Sequence, residues 1–310
     1  MERKSTTALL LAAMMVGGLA YASAGQQRAF AHNFSGDESA AFLANVDTLK
    51  IHLMLVGGNY VGNHDSARQH AEHAAEHLSA ATIKEIAERN QRLGTDLPAA
   101  LGKLKTSVEG NSPRSEIVQQ IKDINGLLGE TVAARIDKSQ LTNSTVNALV
   151  FADLVNEILE SYQGAYGVME EGDHDHSSGS MNMTGSSSSA MEEGAHDKVV
   201  NMPAYQSARW LALKASSMYY KLSAVAPAGS EASMAKLRSG LDELKNAVDG
   251  QSSLEAVTVI VHGKVHQNLM DAFSLPMEEE GSSSDHDQET EISGNMTGNM
   301  TGSMEGNMTQ

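Results

Sequence analysis

Histidine is the residue type in this sequence whose number and spacing could do chemistry. Twelve are present among 310 residues, and no cysteine accompanies them. His70, His73 and His77 fall at i, i+3 and i+7, which puts three side chains on one face of a helix. The adjoining face carries Ala67, Ala71, Ala74 and Leu78, so the stripe borders an apolar seam. His262 and His266 are spaced i, i+4 on the line Val259, His262, His266, Leu269, Phe273, which reads as facing inward. His52 lies one step from the edge formed by Leu49 and Val56. Neutral imidazole is the commonest metal ligand, and facing helices of a bundle can bring several to one ion. Imidazole alone accepts zinc, copper, nickel or iron. Imidazoles buried without partners would leave ring nitrogens unsatisfied, at about 1–3 kcal/mol each. An exposed Ala/Glu/His helix, with Glu72 and Glu76 at hand, would use the same residues without a site.

A second signal of the same kind lies in polar segments. Asp173-His174-Asp175-His176 is followed by Met181, Met183, Met191 and His196-Asp197. Near the C-terminus His286 stands between two aspartates, with Met296, Met300, Met304 and Met308 beyond it. Thioether selects Cu(I) and imidazole accepts Cu(II), so this mixture favours copper over iron or zinc. Ligands that are weak singly gain from being many on one chain. Low-complexity filler would have the same composition.

Other chemistries find little support. Zero cysteine removes disulfides, thiolate metal sites and a Cys nucleophile. The zinc-protease pattern H-E-x-x-H does not occur; the cluster reads His70-Ala-Glu-His73-Ala-Ala-Glu-His77. Paired Glu-x-x-His motifs on two helices, as di-iron bundles use, are missing, as are Gly-rich phosphate loops and a G-x-S-x-G elbow. The sequence reads as a non-enzyme. A net charge of −17, from 39 acids and 22 bases, argues against nucleic acid as a partner.

Charge and composition divide the chain. Arg3 and Lys4 precede an apolar run from Ala8 to about Ala22 and then small residues, the order of a secretory signal peptide. Residues 1–31 are read as that signal, placing the mature protein outside the cytoplasm, at a cell surface or in a pseudoperiplasm. No later run reads as long and apolar enough to cross a membrane. Helical parts are expected over 32–168 and 199–276. Between them, 169–198 hold seven acids and one base, and 277–310 hold eight acids and none. Both are rich in Ser, Gly and Met and too poor in large apolar residues to offset ordering entropy, so both read as disordered. The tail repeats Asn-Met-Thr with period four. Sequons at Asn33, Asn143, Asn182, Asn295, Asn299 and Asn307 would accept glycan in an exported chain.

The remainder reads as helix throughout. Ser35-Gly-Asp-Glu38 is a capping box opening a helix with Phe42, Val46, Leu49, Leu53 and Val56 on one stripe, closed by Gly57-Gly58. One helix is expected over about 65–93, two shorter ones starting near Pro98 and Pro113, and a longer one over 142–166. Pro203 opens the next. Met234, Leu237, Leu241, Leu244 and Val248 mark another, ended by Gly250, and Ser252-Ser-Leu-Glu255 caps the last, to about 275. The fold class is all-α: a helical bundle interrupted by one loop.

Two stretches resemble a known family. Tyr162-Gln-Gly-Ala165, and then Lys198-Val-Val-Asn201-Met-Pro-Ala-Tyr205-Gln206, are similar to a motif of the extracytoplasmic helical domains that accompany oxidase-linked iron permeases. Here Ala204 replaces the acid that precedes the tyrosine there, and some thirty residues are inserted. The signal peptide, His-rich helix and Asn-Met-Thr repeats resemble exported His-rich proteins of ammonia-oxidising archaea, and the His-rich helix resembles small periplasmic metal-binding bundles. The resemblance implies metal handling outside the membrane, iron included, beside a membrane metal transporter.

Together these features point to an exported transition-metal buffer or carrier, copper favoured. His70, His73, His77, His262 and His266 are its expected ligands, with His52 as an addition and His174 and His176 gathering ions more weakly. A cell-surface glycoprotein or adaptor bundle is the alternative from another class, and an iron-handling accessory of a permease is a third. Two A-x-A sites compete for signal cleavage, ending at Ala24 and Ala31. Cleavage after Ala31 would make His32 the N-terminus, offering an α-amine and an imidazole to one Cu(II). N-terminal sequencing of the exported chain decides this: a first residue of Gly25 removes His32 from the ligand set.

Overall fold

Helix α1, Gly36–Asn59, is apolar on two faces rather than one, and the rest of the bundle is arranged around that fact. Phe42, Val46, Leu49, Leu53 and Val56 are buried in one hydrophobic core. Ala40, Ala44, Ile51 and Leu55, on the other side, are buried in a second. A helix buried on both sides carries little polar surface, which is why α1 is long and apolar enough to pass for a membrane span. The expectation that no run after the signal is of that kind is corrected here, although most of this span is packed inside the bundle. The computed structural model describes residues 36–168 and 198–275, which fall within one compact unit ending at Leu275. The signal peptide, the insert and the tail lie outside the described residues, as do His32, His174 and His176.

The first core is built by α1 with α2 (His64–Glu76), α3 (Ala80–Arg89), α4 (Gln91–Glu109) and α5 (Arg114–Arg135). The single helix expected over 65–93 is therefore broken twice. Ser79 and Asn90 accept from the backbone N–H groups of Thr82 and Leu93, and each cap opens a new helix. Starting at Gln91 places Pro98 inside α4 instead of near its beginning. Helices α3 and α4 cross closely at Gly94, where a Cβ would stand 2.5 Å from that of Ala87. Gly57-Gly58 does not close α1, which runs through both glycines to Asn59.

After a single turn, α6 (Lys138–Leu141), the second core is formed by α7 (Ser144–Ala165), α8 (Met202–Val225), α9 (Glu231–Asp249), α10 (Leu254–Ile260) and α11 (Gln267–Phe273), together with the other face of α1. Among the described residues every regular element is helical. The five residues of the α9 stripe, Met234 to Val248, are all buried as the spacing required. Between α10 and α11, Val261–His266 form a π-helix. Its wider turn keeps Val257, Val261, Val265, Leu269 and Phe273, each four apart, on one buried face. The line through Val259 and His262 consequently turns outward; Val259 is 59% exposed and His262 is exposed. Gly240 of α9 lets the π segment approach, since a Cβ there would meet that of Lys264 at 3.1 Å.

The two stretches around the insert make one joint. The N–H groups of Val200 and Asn201 donate to the Ala165 carbonyl at 2.8 and 3.0 Å, and Asn201 caps α8. Tyr162 and Tyr166 donate their hydroxyls to the carbonyls of Ser252 and Gln251, at 2.6 and 3.2 Å. Tyr205 donates to Val248 at 3.0 Å. Three tyrosines thus tie α7 and α8 to the last turn of α9 and the residues that follow it. Burial pushes the Tyr162 hydroxyl up, keeping it a donor. Tyr162→Phe removes the shorter of two hydroxyl bonds to the Ser252 carbonyl, leaving that of Tyr166 at 3.3 Å, and should cost about 0.5–1.5 kcal/mol, read as a lower midpoint in urea unfolding followed by circular dichroism.

Candidate metal centre

His52 and the helix α2 stripe meet where the two cores adjoin. Burial of α1 on both sides leaves His52 3% exposed, and packing of α2 on α1 leaves His70 wholly buried. His73 and His77, one and two turns further along α2, are half-buried. The ring of His52 lies 5.4 Å from that of His70, 5.5 Å from His73 and 5.1 Å from His77, centroid to centroid. Two imidazoles on one tetrahedral ion, with bonds of about 2.0–2.1 Å, hold their nitrogens about 3.3 Å and their ring centres about 5 Å apart. The Nδ1 atoms of His52 and His70 are 3.2 Å apart. As the side chains stand, no three His, Asp or Glu among the described residues are placed to hold one ion together. His52 is the hub, with the other three rings arrayed around it.

A chain of hydrogen bonds fixes how these rings carry their protons. Asn59 donates through Nδ2 to the Leu55 carbonyl at 2.9 Å, which orients its amide. Gln206 of α8 donates to the Asn59 Oδ1 at 3.2 Å, which orients the second amide. The Gln206 Oε1, an acceptor only, then receives the Nε2 proton of His70 at 3.0 Å. In a neutral imidazole that leaves the His70 Nδ1 bare, so the short contact to His52 is a hydrogen bond donated by the His52 Nδ1. The bare nitrogen of His52 is Nε2.

Burial, with neighbouring rings adding, holds His52, His70 and His77 neutral. It pushes His52 well below the ordinary histidine range, reinforced by His77, His70 and His73. Burial likewise brings His70 to about 4, opposed by the Gln206 bond. His77 is also held at about 4, by burial and then by His73. Neutral rings are the ligating form. Glu72, the acid inside the stripe, is turned away to Lys105 of α4 at 2.8 Å.

A cavity of about 410 Å³ opens beside the cluster. His52, His73 and His77 line it, with Glu76, Glu157, Glu160, Ser161, Asn201 and Ser207; His70 does not. Burial, and next the charge of Glu160, raise Glu157 to about 7. The Ser207 hydroxyl is buried with no hydrogen-bond partner. These groups come from α1, α2, α7 and α8.

His262 and His266 are placed apart from this centre. Their rings are 5.5 Å from each other, and among the described residues neither makes ring contact with the α2 stripe. The His266 Nε2 is buried without a partner. Burial brings this ring to about 4, with the charge of His262 next and a backbone bond to Ala152 opposing. The segment that carries the pair packs mainly against α7 and α9, which keeps it from the main site, and His262 is exposed. Gln206, Asn59 and Glu157 were not singled out from the sequence as site residues. Gln206 stands in the motif around the insert, and nothing marked the other two.

In the unfolded chain, imidazoles take up protons near pH 6.5, whereas folded His70, His77 and His266 do so only near 4. Between those values the unfolded state binds more protons, so stability falls as pH falls, by up to about 1.4 kcal/mol per unit for each ring. Glu157 acts in the opposite sense between 4.5 and about 7, as one group against several. Thermal midpoints should therefore drop on acidification from pH 6.5 to 4.5; a flat or rising profile would contradict neutral burial.

No protein-family model, curated protein or solved structure matches the chain.

Proposed function

We propose that this protein is an exported, non-catalytic binder of a transition-metal ion, a buffer or carrier, with the histidines between α1 and α2 as its centre. One observation carries this reading: three imidazoles of the α2 stripe stand within ring contact of a single hub, His52 of α1, where burial keeps His52, His70 and His77 uncharged. A second support is the bond from the His52 Nδ1 to His70, since ligating histidines commonly rest their other ring nitrogen on such a partner. Copper is favoured on two grounds. Affinity of nitrogen and oxygen sites for divalent first-row ions peaks at Cu(II), and the Met/His segments outside the described residues have the donor types for both copper states. Those segments would gather ions at lower affinity for the folded centre, with a membrane metal transporter as source or recipient.

The reading as an adaptor or glycoprotein bundle has its own support. Trp210, Leu213 and Tyr220 are 43%, 40% and 62% exposed on α8, a patch that a partner protein could cover. The sequon Asn143 is exposed at the N-cap of α7.

Isothermal titration separates the two. The exported chain should take up Cu(II) or Zn(II) stoichiometrically, and deletion of 169–198 and 277–310 should remove weak sites while leaving the tight one. A core that takes up neither copper, zinc nor iron would end the metal reading.

A further inference from the structure

The four histidines differ in their surroundings, and the difference assigns them unequal roles. His70 is wholly buried, does not reach the cavity, and has both ring nitrogens engaged within the protein. His52, His73 and His77 line the cavity, and two of them are half-buried, with room to turn. Resting on the metal reading above, we propose that the ion sits in this cavity on the His52 Nε2, His73, His77 and Glu157, while His70 is a positioning residue that holds His52 from behind.

The Leu55 carbonyl orients Asn59, Asn59 orients Gln206, and Gln206 takes the proton of His70 Nε2. His70 then accepts the Nδ1 proton of His52, so the tautomer of His52 is set four groups away and its Nε2 is left as the donor pair. Each link is a second-sphere contact of the kind that orients a ligand and raises its basicity. Ligation by the two Nδ1 atoms instead would require breaking that bond and moving a proton from a buried ring.

The cavity wall supplies what imidazoles lack. Imidazole ligands bring no charge to a divalent ion, and α7 places the Glu157 carboxyl in the same cavity, with Glu76 and Glu160 exposed on its lining. The unpartnered Ser207 hydroxyl, 2% exposed, is a further polar group on that wall. Nitrogen and carboxylate donors without sulfur suit a divalent first-row ion and not Cu(I).

The proposal is tested on the full exported chain labelled with 15N-histidine and loaded with 113Cd(II). Cadmium–nitrogen couplings should appear for one nitrogen each of His52, His73 and His77, with that of His52 on Nε2, and none for His70. Couplings to the Nδ1 atoms of His52 and His70 would overturn this assignment while leaving metal binding intact. No bound cadmium, zinc or copper in the wild type would instead remove the metal reading beneath it. Gln206→Leu touches no proposed ligand and should weaken Cd(II) binding about 10- to 100-fold with the coupling pattern retained. Glu157→Gln should weaken Cd(II) at least tenfold and leave Ag(I), a probe for Cu(I), unchanged; equal Cd(II) affinity would strike the carboxylate from the site.

Discussion

Burial of α1 on both sides is the constraint on which the rest of this structure depends. A helix with one apolar stripe can point its polar residues at water, but α1 is held between two cores and keeps only a narrow strip at Asp47, Lys50 and Met54 toward solvent. His52 sits in that middle, 3% exposed, and an imidazole there must be neutral and must have a partner. The partner is His70, on the helix that packs closest to that point. Everything distinctive about the candidate centre, from the depressed proton affinity to the fixed tautomer, follows from placing a titratable ring on a doubly buried helix.

The same helix sets where the centre can be. One core belongs to α1 through α5, the other to α1 with α7 through α11. Side chains between them can come from both, and they do: the imidazoles are supplied by α1 and α2, the Gln206 amide by α8 and the Glu157 carboxyl by α7. The tyrosine joint contributes at a distance. By seating the start of α8 against the ends of α7 and α9, it fixes the first turn from which Gln206 reaches His70. The motif around the insert therefore has a structural account here, as a helix joint with one polar arm toward His70.

Charge is treated differently inside and outside. Glu72 and Asp47 are drawn off to Lys105 and Lys214 at 2.8 Å, the first pair open to solvent and worth little, the second half-buried. The buried face keeps imidazoles, which can be uncharged at neutral pH, and one carboxyl raised to about 7. Glu76, Glu157 and Glu160 line the pocket beside these rings, so its acidic wall faces any cation that enters.

The sequence by itself determined the helices, their apolar seams and the His70, His73, His77 stripe, because each is local: a repeat of three to four residues is read within one element. It did not reveal the breaks at Ser79 and Asn90, since caps inside a polar Ala/Glu/His stretch give no change in periodicity. It pointed His262 inward because a regular helix was assumed; the π-helix shifts the face, and that depends on how α9 admits Lys264 at Gly240. Tertiary structure alone decided that His52, read only as an addition, is the hub, and that the last helix is not its partner. Residues 18 and 136 positions from His70 meet it only because helices pack, and no spacing along a chain records which faces will meet.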